Sequence, residues 1–480
     1  MSRLSRDQGL AARHWDAARF AAAEAVLDRV DAEGIETVRI VFADQHGITR
    51  GKTVTARGLR SALEAGIRVP STLLLKDTSH ATVFPIWAQD AGFGGGVMTG
   101  ASDVVLLPDP TTFQRLDWAD GAGWMLADLY HPSGEAVEIS SRGILARALD
   151  RLAEAGMELV AGLEVEFTIL KVENPRLDHA AGGFQEEPPE TSLLAHGYQH
   201  LTESRMDQLE PILTRLRREA EALGMPVRSV EAEFGPSQVE FVFDPLPAMD
   251  AADMMVLFRS MVKQVCTRAG LHASFMARPG FKGAMGAGWH LHLSAVDLET
   301  GANRFMDGQG LSDTASGWIA GVLQHARAGC LLTTPTVTGY KRYQPHQLAP
   351  DRVAWGRDNR GAMLRVLTAE GDPASRIENR VGEPMANPYF YIASQVLTGL
   401  DGVARGARAP APSDTPYSEA AEALPRHLGE AIEAFSASAF YRAALGDAFV
   451  DYLCHLKRAE WDRYLAEVSA WEMREYFPVF

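Results

Sequence analysis

The sequence predicts an α+β fold, with a small N-terminal domain at residues 14–110 and a larger C-terminal domain at residues 115–480. Strand-like runs alternate with helical ones along the chain, and the part beyond residue 110 has enough of them for a substantial sheet. The stretch LLPDP at residues 106–110 is the best candidate for the domain boundary, because its prolines interrupt both patterns.

The N-terminal domain is expected to begin with a helix and a hairpin. Residues 14–33 are amphipathic with helical spacing, and Gly34 follows as a stop signal. Residues 36–55 alternate between apolar and polar side chains around Asp44-Gln45-His46-Gly47, which predicts two antiparallel strands joined by a turn.

The C-terminal domain is expected to combine helices with the strands of its sheet. Helical patterns cover residues 206–223, which Gly224 ends, and residues 251–268, which Asp250 opens and Gly270 ends. Residues 171–198 lack a clear period and are interpreted as a loop. The strand-like runs are GWMLADLY, MELVAGLEVEFTIL, SQVEFVF, GWHLHLSAV and SRIENRV.

Charge and cysteine content restrict the class of protein. The formal net charge of −16 disfavours nucleic acids and anionic membranes as partners, because their phosphates would be repelled. Cys266, Cys330 and Cys454 are isolated in the sequence, which is typical of reduced, buried thiols. We find no apolar stretch of signal-peptide or membrane-span length, so a cytoplasmic protein is expected.

The most informative feature is charge at positions where a buried strand should be apolar. In the run AGLEVEFTIL, Glu164 and Glu166 are two residues apart, so in a strand both carboxylates point to the same face. Two acids on one buried face repel each other unless a cation lies between them. Taken alone, such a pair is more often the solvent-facing side of an edge strand.

Two further strand-like runs show the same spacing of polar residues. GAGWHLHLS places His290 and His292 on one face, although two such histidines are more often hydrogen-bonded side chains than ligands. SRIENRV places Arg376, Glu378 and Arg380 on one face, where exposed ion pairs are the simpler interpretation.

A fourth segment, EAEFGPSQVEF, adds Glu233 and Glu240 on either side of a Gly-Pro turn that can fold them toward each other. Together the segments supply five glutamates and one histidine, a set that suits Mg²⁺ or Mn²⁺ and disfavours structural zinc. Two such ions beside several arginines form a site for a polyphosphate. The usual nucleotide motifs are absent, since GITRGKT at residues 47–53 is one residue short of a P-loop.

These segments, in this order, resemble the glutamine synthetase family from about residue 36 to the 390s. The resemblance implies a glutamine synthetase fold, with an N-terminal β-grasp domain and a C-terminal catalytic domain that holds a curved antiparallel sheet and surrounding helices. It also implies a homo-oligomer, a dodecamer of two stacked hexameric rings with active sites between subunits. The matching motifs are LLPDPTTFQRLDWA, GLEVEF, EFGPSQVE, GAGWHLHLS, PTVTGYKR, DNRGAMLRV and SRIENRVGEPMANPYFY.

The resemblance also implies cofactors and a reaction. The cofactors are ATP and two or three Mg²⁺ (or Mn²⁺) ions. The γ-carboxylate of L-glutamate attacks ATP, and an amine nitrogen then attacks the acyl phosphate. The implied ligands are Glu166, Glu233 and Glu240 for one ion beside the amino-acid substrate, and Glu164, His290 and Glu378 for a second ion beside the ATP phosphates.

Several basic residues receive roles by the same resemblance. Arg342, in GYKR, resembles the arginine that binds the α-carboxylate of glutamate, a charge-assisted contact. Arg360, in DNRG, resembles the arginine that stabilises the transferred phosphoryl group, so the implied catalytic residues are Arg360, Arg342 and Glu166. The implied contacts to ATP are Arg365, Arg376 and Arg380, with His292 in a supporting position.

Two departures from the family pattern concern the amine. Ammonia-using members carry a glutamate just before Ala-Pro in a flap, where this chain has Leu348. They also carry an aspartate in an N-terminal Asp-Gly-Ser-Ser motif, where this chain has Val69-Pro70-Ser71-Thr72 with no acid. Because Leu348 and Pro70 suit the hydrocarbon part of a larger amine, the chain is similar to the γ-glutamylanilide and γ-glutamyl-alkylamide synthetases.

Two more substrate contacts are expected. Tyr198 is a candidate for lining the amine pocket. The loop before the histidines reads Met285-Gly286-Ala287-Gly288 instead of Asn-Gly-Ser-Gly, so glutamate is expected to meet backbone groups at Gly286. The alternatives are an ammonia-dependent glutamine synthetase, a ligase for another acid, and a non-catalytic ring-forming regulator or scaffold.

Overall fold

The computed structural model describes residues 4–88, 96–176, 179, 182–183, 187–307, 311–344, 348–369, 371–418 and 420–480. Its mixture of helices and sheets confirms the predicted α+β class. The helices are α1 (Ala11–His14), α2 (Ala17–Ala32), α3 (Ala56–Ala65), α4 (Ser141–Glu154), α5 (Glu203–Ala222), α6 (Ala248–Arg268), α7 (Asp313–Gln324), α8 (Ala326–Thr333), α9 (Val337–Tyr340), α10 (Pro388–Ala404), α11 (Leu428–Ser436), α12 (Ala439–Leu445), α13 (Asp447–Ala466) and α14 (Ala470–Glu475). The strands are β1 (Thr37–Ala43), β2 (Thr49–Thr55), β3 (Ile67–Pro70), β4 (Asp103–Pro108), β5 (Gln114–Arg115), β6 (Ala122–Tyr130), β7 (Met157–Val172), β8 (Thr191–Leu193), β9 (Val227–Ala232), β10 (Gln238–Phe243), β11 (Leu246–Pro247), β12 (Leu271–Ser274), β13 (Trp289–Asp297), β14 (Trp355–Arg357), β15 (Leu364–Leu367) and β16 (Arg376–Asn379).

The N-terminal domain is built on a sheet that has six strands within the described residues. The strand order is β2-β1-β6-β4-β3, with β5 paired to β6. The predicted hairpin is confirmed, because β1 and β2 pair antiparallel. Asp44 shapes its turn, since Oδ1 accepts hydrogen bonds from the backbone N–H groups of His46 and Ile48, both at 2.9 Å.

This sheet contains residues on both sides of the predicted boundary at residue 110. β6 lies between β1 and β4, parallel to the first and antiparallel to the second. The proline-containing stretch leads into a short 3₁₀ turn, Pro110–Thr112, and Asp109 caps that turn by accepting a hydrogen bond from the N–H of Thr111 at 3.1 Å. The prolines therefore redirect the chain within the sheet, and the last strand of the sheet ends at Tyr130.

The C-terminal domain is built on a sheet that has ten strands within the described residues. The main order is β14-β15-β16-β13-β7-β10-β9, and β8, β11 and β12 pair with β7. β7 is central, with β10 antiparallel on one side and β13 antiparallel on the other. On one face, Phe167 of β7 packs against Phe241 of β10, Phe258 of α6 and Phe275, with ring centroids 4.9–5.9 Å apart. The opposite face of this sheet carries polar residues.

The predicted elements of the C-terminal domain agree with the structure in part. The two predicted helices are α5 and α6, and each begins three residues earlier than predicted. Asp250 lies in the first turn of α6 and does not cap it, a position where its charge still favours the helix dipole. The interpretation of residues 171–198 as a loop was partly wrong, because β7 continues to Val172 and pairs with β8.

Two expectations from composition can be compared with the fold. Cys266, Cys330 and Cys454 are buried and unpaired, as predicted. Among the residues that the structure describes, no helix is both long enough and apolar enough to cross a membrane.

Candidate active site

The polar face of the C-terminal sheet carries the charged residues that interrupt its strands. The pairing register brings four of them together. Glu166 of β7 lies opposite Glu240 of β10, and Glu164, two residues earlier, lies opposite His290 of β13. Because side chains alternate along a strand, all four side chains project from the face opposite the phenylalanine cluster.

The residues predicted to hold the second metal ion converge around His290. Nδ1 of this ring lies 3.0 Å from Oε1 of Glu164 and 3.9 Å from Oε1 of Glu378. Glu378 comes from β16, where it lies opposite His292 of β13 and is fully buried. Among the described residues, ligand atoms within 4.8 Å of one another are offered by Glu164 with Glu240 and His290, and by Glu164 with His292 and Glu378. The predicted set of Glu164, His290 and Glu378 is not one of these groups and stays a prediction.

The acids predicted to hold the first ion lie on the β9–β10 side of the site. Oxygens of Glu233 and Glu240 lie within 4.8 Å of one another and of an oxygen of Glu231. The backbone N–H of Glu233 donates to the carbonyl of Gln238 at 2.9 Å, which closes the predicted Gly-Pro turn. Glu166 completes the cluster from β7, opposite Glu240.

Burial and mutual repulsion make two of these acids hard to ionise without a cation. Burial and the charge of Glu233 raise the pKa of Glu166 to about 8. Burial and the charges of Glu164 and Glu166 raise the pKa of Glu240 to about 11. Glu164 behaves differently, because two neighbouring histidines outweigh its burial and hold its pKa below the usual range. A divalent cation would supply the positive charge that the cluster lacks.

The donor set fits a hard divalent cation such as Mg²⁺ or Mn²⁺. Carboxylate oxygens outnumber imidazole nitrogens, and no thiol lines the described part of the site. Burial and the nearby Arg380 lower the pKa of His290, which favours the neutral form that a metal-binding imidazole needs. Three groups within this site could each hold an ion: Glu164, Glu240 and His290; Glu164, His292 and Glu378; and Glu231, Glu233 and Glu240.

Two arginines predicted to contact phosphate are bound to Glu378. Arg380 donates Nη1 to Oε1 of this carboxylate, and Arg365 donates Nη1 to Oε2 at 3.0 Å. Burial pushes the pKa of Glu378 upward, but Arg380 prevails and lowers it. Arg365 also donates Nη2 to Asp358 at 2.6 Å. These guanidinium groups therefore keep Glu378 ionised in a buried position.

Arg376 reaches the metal-ligand candidates through His292. Its Nε donates to Nδ1 of His292 at 3.1 Å, so Nε2 of that ring carries the proton. Nε2 lies 2.9 Å from Oε2 of Glu164 and donates to it. His292 thus orients Glu164, and its supporting role toward ATP stays a prediction.

Arg342 is buried beside the loop that precedes β13. Its Nη1 donates to the carbonyl of Val381 at 3.0 Å and its Nη2 to the carbonyl of Arg380 at 2.8 Å, so the guanidinium is fixed. A Cβ at Gly286 would lie 2.8 Å from Cγ of Arg342. The absence of a side chain at Gly286 therefore lets the loop lie directly against this arginine.

Most of the predicted site residues line one cavity of about 680 Å³. Its glutamates are buried or half-buried, whereas Tyr198, Leu201, Phe234 and Leu348 are exposed and together form what we call the apolar mouth, beside the exposed His200. Arg360 is exposed where it lines this cavity. The predicted residues that line it are Glu164, Glu166, Tyr198, Glu233, Glu240, Gly286, His290, Arg342, Leu348, Arg360 and Arg380, and the others are His200, Leu201, Glu231, Phe234, Gln238, Arg278, Met285 and Ala349.

The apolar mouth is formed by side chains from loop segments between the helices and strands. The rings of Tyr198 and Phe234 pack edge to face with centroids 5.4 Å apart, and the Tyr198 hydroxyl donates to the carbonyl of Gly283 at 3.2 Å. Leu348 also lines the cavity and is 62% exposed. Residues 345–347, directly before it, lie outside the described residues.

The backbone around the cavity is unusual at four positions. Tyr198, Leu201, Ser237 and Leu348 all have φ between 55° and 66°, in the left-handed region that favours glycine. Strained backbone of this kind clusters at binding sites, where the surrounding structure holds it.

Pro70 is a predicted site residue of the N-terminal sheet. It ends β3 in the N-terminal sheet and is not among the described residues that line the cavity. Its role in binding an amine stays a prediction.

Sequence reasoning missed Glu231, Gln238 and His200. Glu231 is two residues before Glu233, and this is the same spacing that singled out Glu164 and Glu166, so the signal was present. Gln238 is an uncharged residue at the start of a strand, which gives no signal. His200 lies 3.5 Å from Glu233 only because the loop folds back over β9.

Removing divalent cations is expected to make thermal stability fall as pH rises. Because the folded-state pKa of Glu166, about 8, exceeds its ordinary value of 4.5, its contribution to stability is complete below pH 4.5 and is lost as pH rises through 8. A cation favours the ionised form and opposes this loss. In EDTA, we expect the Tm of the wild type to drop by about 3–5 °C more between pH 6 and pH 9 than the Tm of a Glu166→Gln variant. We expect Mn²⁺ to raise the Tm of the wild type more at pH 9 than at pH 6. Differential scanning calorimetry tests this, and a wild-type curve parallel to that of Glu166→Gln contradicts it.

Comparisons with known proteins relate the whole chain to characterised families and folds. A family model described as the catalytic domain of glutamine synthetase matches residues 138–476. The chain is 39% identical to a γ-glutamylanilide synthase from Acinetobacter sp, over 96% of this chain and 97% of that protein. It is 33% identical to the γ-glutamylethanolamide synthetase GlnA4 from Streptomyces coelicolor, over 93% and 94% of the two chains. A solved structure of GmaS without ligand matches with a TM-score of 0.79 at 28% identity, over 94% of this chain and 99% of that one.

Proposed function

The chain belongs to the glutamine synthetase family, and from this premise we propose that it joins L-glutamate to a hydrophobic amine, aromatic or alkyl, using ATP. Formation of a γ-glutamyl amide follows from its relatives. The choice of amine rests on the mouth of the cavity, where Tyr198, Phe234 and Leu348 are exposed lining residues. Apart from the five glutamates of the acidic cluster, the described lining residues include no carboxylate.

The reaction has two steps that balance in atoms and charge. An oxygen of the γ-carboxylate of glutamate attacks the γ-phosphorus of ATP, the bond to the β-phosphate oxygen breaks, and ADP leaves. The amine nitrogen then attacks the carbonyl carbon of the acyl phosphate, the C–O bond breaks, and phosphate leaves. The proton lost by nitrogen is taken up by that phosphate.

The proposed roles of the residues follow their positions. Arg342 binds the α-carboxylate of glutamate, and the neighbouring backbone at Gly286 contacts the same substrate. Arg360, exposed at the cavity, meets the γ-phosphoryl group. Bound divalent cations supply charge neutralisation during phosphoryl transfer. The proposed ligands are Glu166, Glu233 and Glu240 for one ion and Glu164, His290 and Glu378 for the other.

The remaining basic residues are proposed to act on the nucleotide side. Arg365 and Arg380 fix Glu378 and extend positive charge toward the phosphates of ATP. Arg376 does the same for Glu164 through His292. Two or three Mg²⁺ or Mn²⁺ ions are proposed per site.

An apolar mouth favours an amine that enters without charge. An ammonium ion would lose its hydration there without a carboxylate to compensate for it. Arylamines are neutral at pH 7, whereas alkylamines, with a pKa of about 10.4 for the lysine side chain, are mostly protonated. Tyr198 and Phe234 also offer aromatic surface to an aryl ring.

The rate with an alkylamine is therefore expected to rise with pH. Below the amine pKa the neutral fraction grows about tenfold per pH unit, so kcat/KM for isopropylamine should rise about tenfold from pH 7 to pH 8. kcat/KM for aniline should change less than threefold over this interval, because its neutral fraction is already complete. Steady-state assays with both amines on one enzyme preparation test this, and equal pH slopes would contradict entry as the free base.

A ring-shaped homo-oligomer, a dodecamer of two stacked hexamers, is proposed as the assembly. Around α14 the chain exposes a series of large apolar side chains, among them Trp471, Phe477 and the fully exposed Phe480. Single apolar residues at a surface are common, but a contiguous series is typical of a contact surface. The buried, unpaired cysteines support the proposed cytoplasmic location.

The proposed function is tested by measuring ADP release with Mg²⁺, ATP and L-glutamate for a panel of amines. The panel contains ammonium, methylamine, isopropylamine, ethanolamine, putrescine and aniline, with mass spectrometry of each product and reactions lacking glutamate as controls. We expect turnover with a hydrophobic amine and little with ammonium. Preference for ammonium would make the protein a glutamine synthetase in the strict sense, and no ADP with any amine would overturn the proposal.

A further inference from the structure

Gln238 is a buried, uncharged residue that contacts both the acidic cluster, at Glu166, and the loop before β13, at Gly286. It opens β10 and is 3% exposed. Its amide nitrogen donates to Oε2 of Glu166 at 2.7 Å and to the carbonyl of Gly286 at 3.0 Å. Its amide oxygen accepts from the N–H of Gly235 at 3.0 Å. Both N–H groups and the carbonyl of the side chain are therefore used.

The contact with Glu166 leaves one carboxylate oxygen for a cation. Gln238 holds Oε2, whereas Oε1 faces the cluster, 3.8 Å from Nε2 of His290. A carboxylate held at one oxygen has its orientation fixed before a cation arrives. Partners of this kind tune metal affinity, and their loss typically costs about 10–100-fold.

The contact with Gly286 connects Gln238 to the residues proposed to bind glutamate. Gly286 lies against Arg342, the residue proposed to bind the α-carboxylate of glutamate. The same amide nitrogen therefore holds the metal-ligand candidate Glu166 and the backbone of the substrate loop. A shift of either partner changes the hydrogen bond available to the other.

The turn that carries Glu233 is fixed by the same side chain. A Cβ at Gly235 would lie 2.3 Å from Oε1 of Gln238 and 3.2 Å from Cβ of Met285, so the turn, the amide and the substrate loop are in close contact. Gly235 is between Glu233 and Gln238 in the chain. The amide oxygen thus holds the turn that places a second metal-ligand candidate.

We propose that Gln238 is a positioning residue that couples binding of the cation at Glu166 to binding of glutamate at Arg342. This inference rests on the proposed function, because it takes glutamate as the substrate at Arg342. It predicts that each ligand raises the affinity for the other and that this reciprocal coupling depends on the amide.

Replacing Gln238 by methionine is the direct test, since methionine is similar in size and has no strong donor. We expect the Kd of Mn²⁺ and the KM of glutamate each to rise by about 10–100-fold, with the KM of ATP changed less than threefold. The ratio of Mn²⁺ affinities with and without glutamate should fall to about one. Calorimetric titration of Mn²⁺ gives this ratio without turnover.

Gln264→Met is the matched control. Gln264 is on α6, accepts from Arg39 and Trp118, and donates to Ser260, so the same substitution removes the same number of hydrogen bonds away from the cavity. We expect it to lower Tm to a comparable extent and to leave the coupling ratio unchanged. Gln238→Asn, which keeps the amide on a shorter side chain, should restore part of the coupling.

Two results would overturn the inference. One is a coupling ratio in Gln238→Met equal to that of the wild type, and the other is an equal loss in Gln264→Met. Failure of the proposed function is distinguishable, because it would be seen as wild-type protein that forms no amide from glutamate and any amine. The Mn²⁺ titration of the two variants would still compare their cation affinities in that case.

Discussion

Replacing Glu164 by glutamine is expected to lower kcat by about a thousandfold. Glu164 meets His290 and His292 with its two oxygens and belongs to two of the three candidate metal groups. Loss of a cation that stabilises phosphoryl transfer costs several kcal/mol, and each 1.36 kcal/mol is a factor of ten in rate. The measurement is ADP release at saturating substrates, with Mn²⁺ affinity by calorimetry.

The matched control for this variant lies on the same strand. Glu158 projects from the same side of β7, is exposed, and lies opposite Val296 of β13. Glu158→Gln should change kcat less than twofold. Activity of Glu164→Gln above one tenth of the wild-type value would exclude a metal-ligand role for Glu164.

Leu348→Glu is expected to raise the preference for ammonium over a hydrophobic amine by about 100-fold or more. A carboxylate at this edge of the cavity would attract ammonium and accept its proton, and a positioned general base contributes about 10²–10⁴-fold. The backbone at Leu348 has a φ of 56°, which burdens leucine and glutamate alike, so the fold should not respond strongly. Competition between ammonium and aniline in one reaction, with products separated by mass, gives the ratio directly.

Leu348→Gln separates charge from polarity in this test. Glutamine has nearly the shape of glutamate but is neither a base nor a counter-ion. We expect it to weaken use of the hydrophobic amine without improving use of ammonium. An amine profile of Leu348→Glu that matches the wild type would remove Leu348 from the amine pocket.

The sequence was sufficient to predict the parts of the site that depend on the alternation of side chains along a strand. Glu164 and Glu166 share a face because side chains alternate, and this holds wherever the strand lies in the sheet. An apolar run in which every second residue is charged therefore predicts which side chains share the polar face of the strand. The family resemblance added an antiparallel sheet, and β7 pairs antiparallel with β10 and β13, but which strands are neighbours is seen only in the structure.

The parts that the sequence did not predict depend on contacts between distant segments. Gln238 carries no charge and interrupts no pattern, so its importance emerges only when Gly286, forty-eight positions away, is seen beside it. The N-terminal sheet extends beyond residue 110 for a similar reason. Its strand β6 pairs with β1, and the local composition does not predict a partner so far away in the sequence.

Other details followed from tertiary interactions that override local signals. Arg365 and Arg380 were expected to meet phosphate, and the structure adds that both are ion-paired with a buried carboxylate. The sequence shows that Glu378 and Arg380 share a face of their strand. It cannot show that Arg365 reaches the same carboxylate from the adjacent strand β15.

The exposed loop residues around the cavity can change in evolution more easily than the acids of the cluster. Glu164, Glu166, Glu240 and Glu378 lie on strands inside the C-terminal sheet, so altering them disturbs both the reaction and the core. Tyr198, Leu201 and Leu348 are exposed on loops and contribute little to folding. Substitutions at the rim can therefore be sampled one at a time without loss of the fold, and a lineage can exchange one amine for another while its phosphoryl-transfer chemistry is inherited intact.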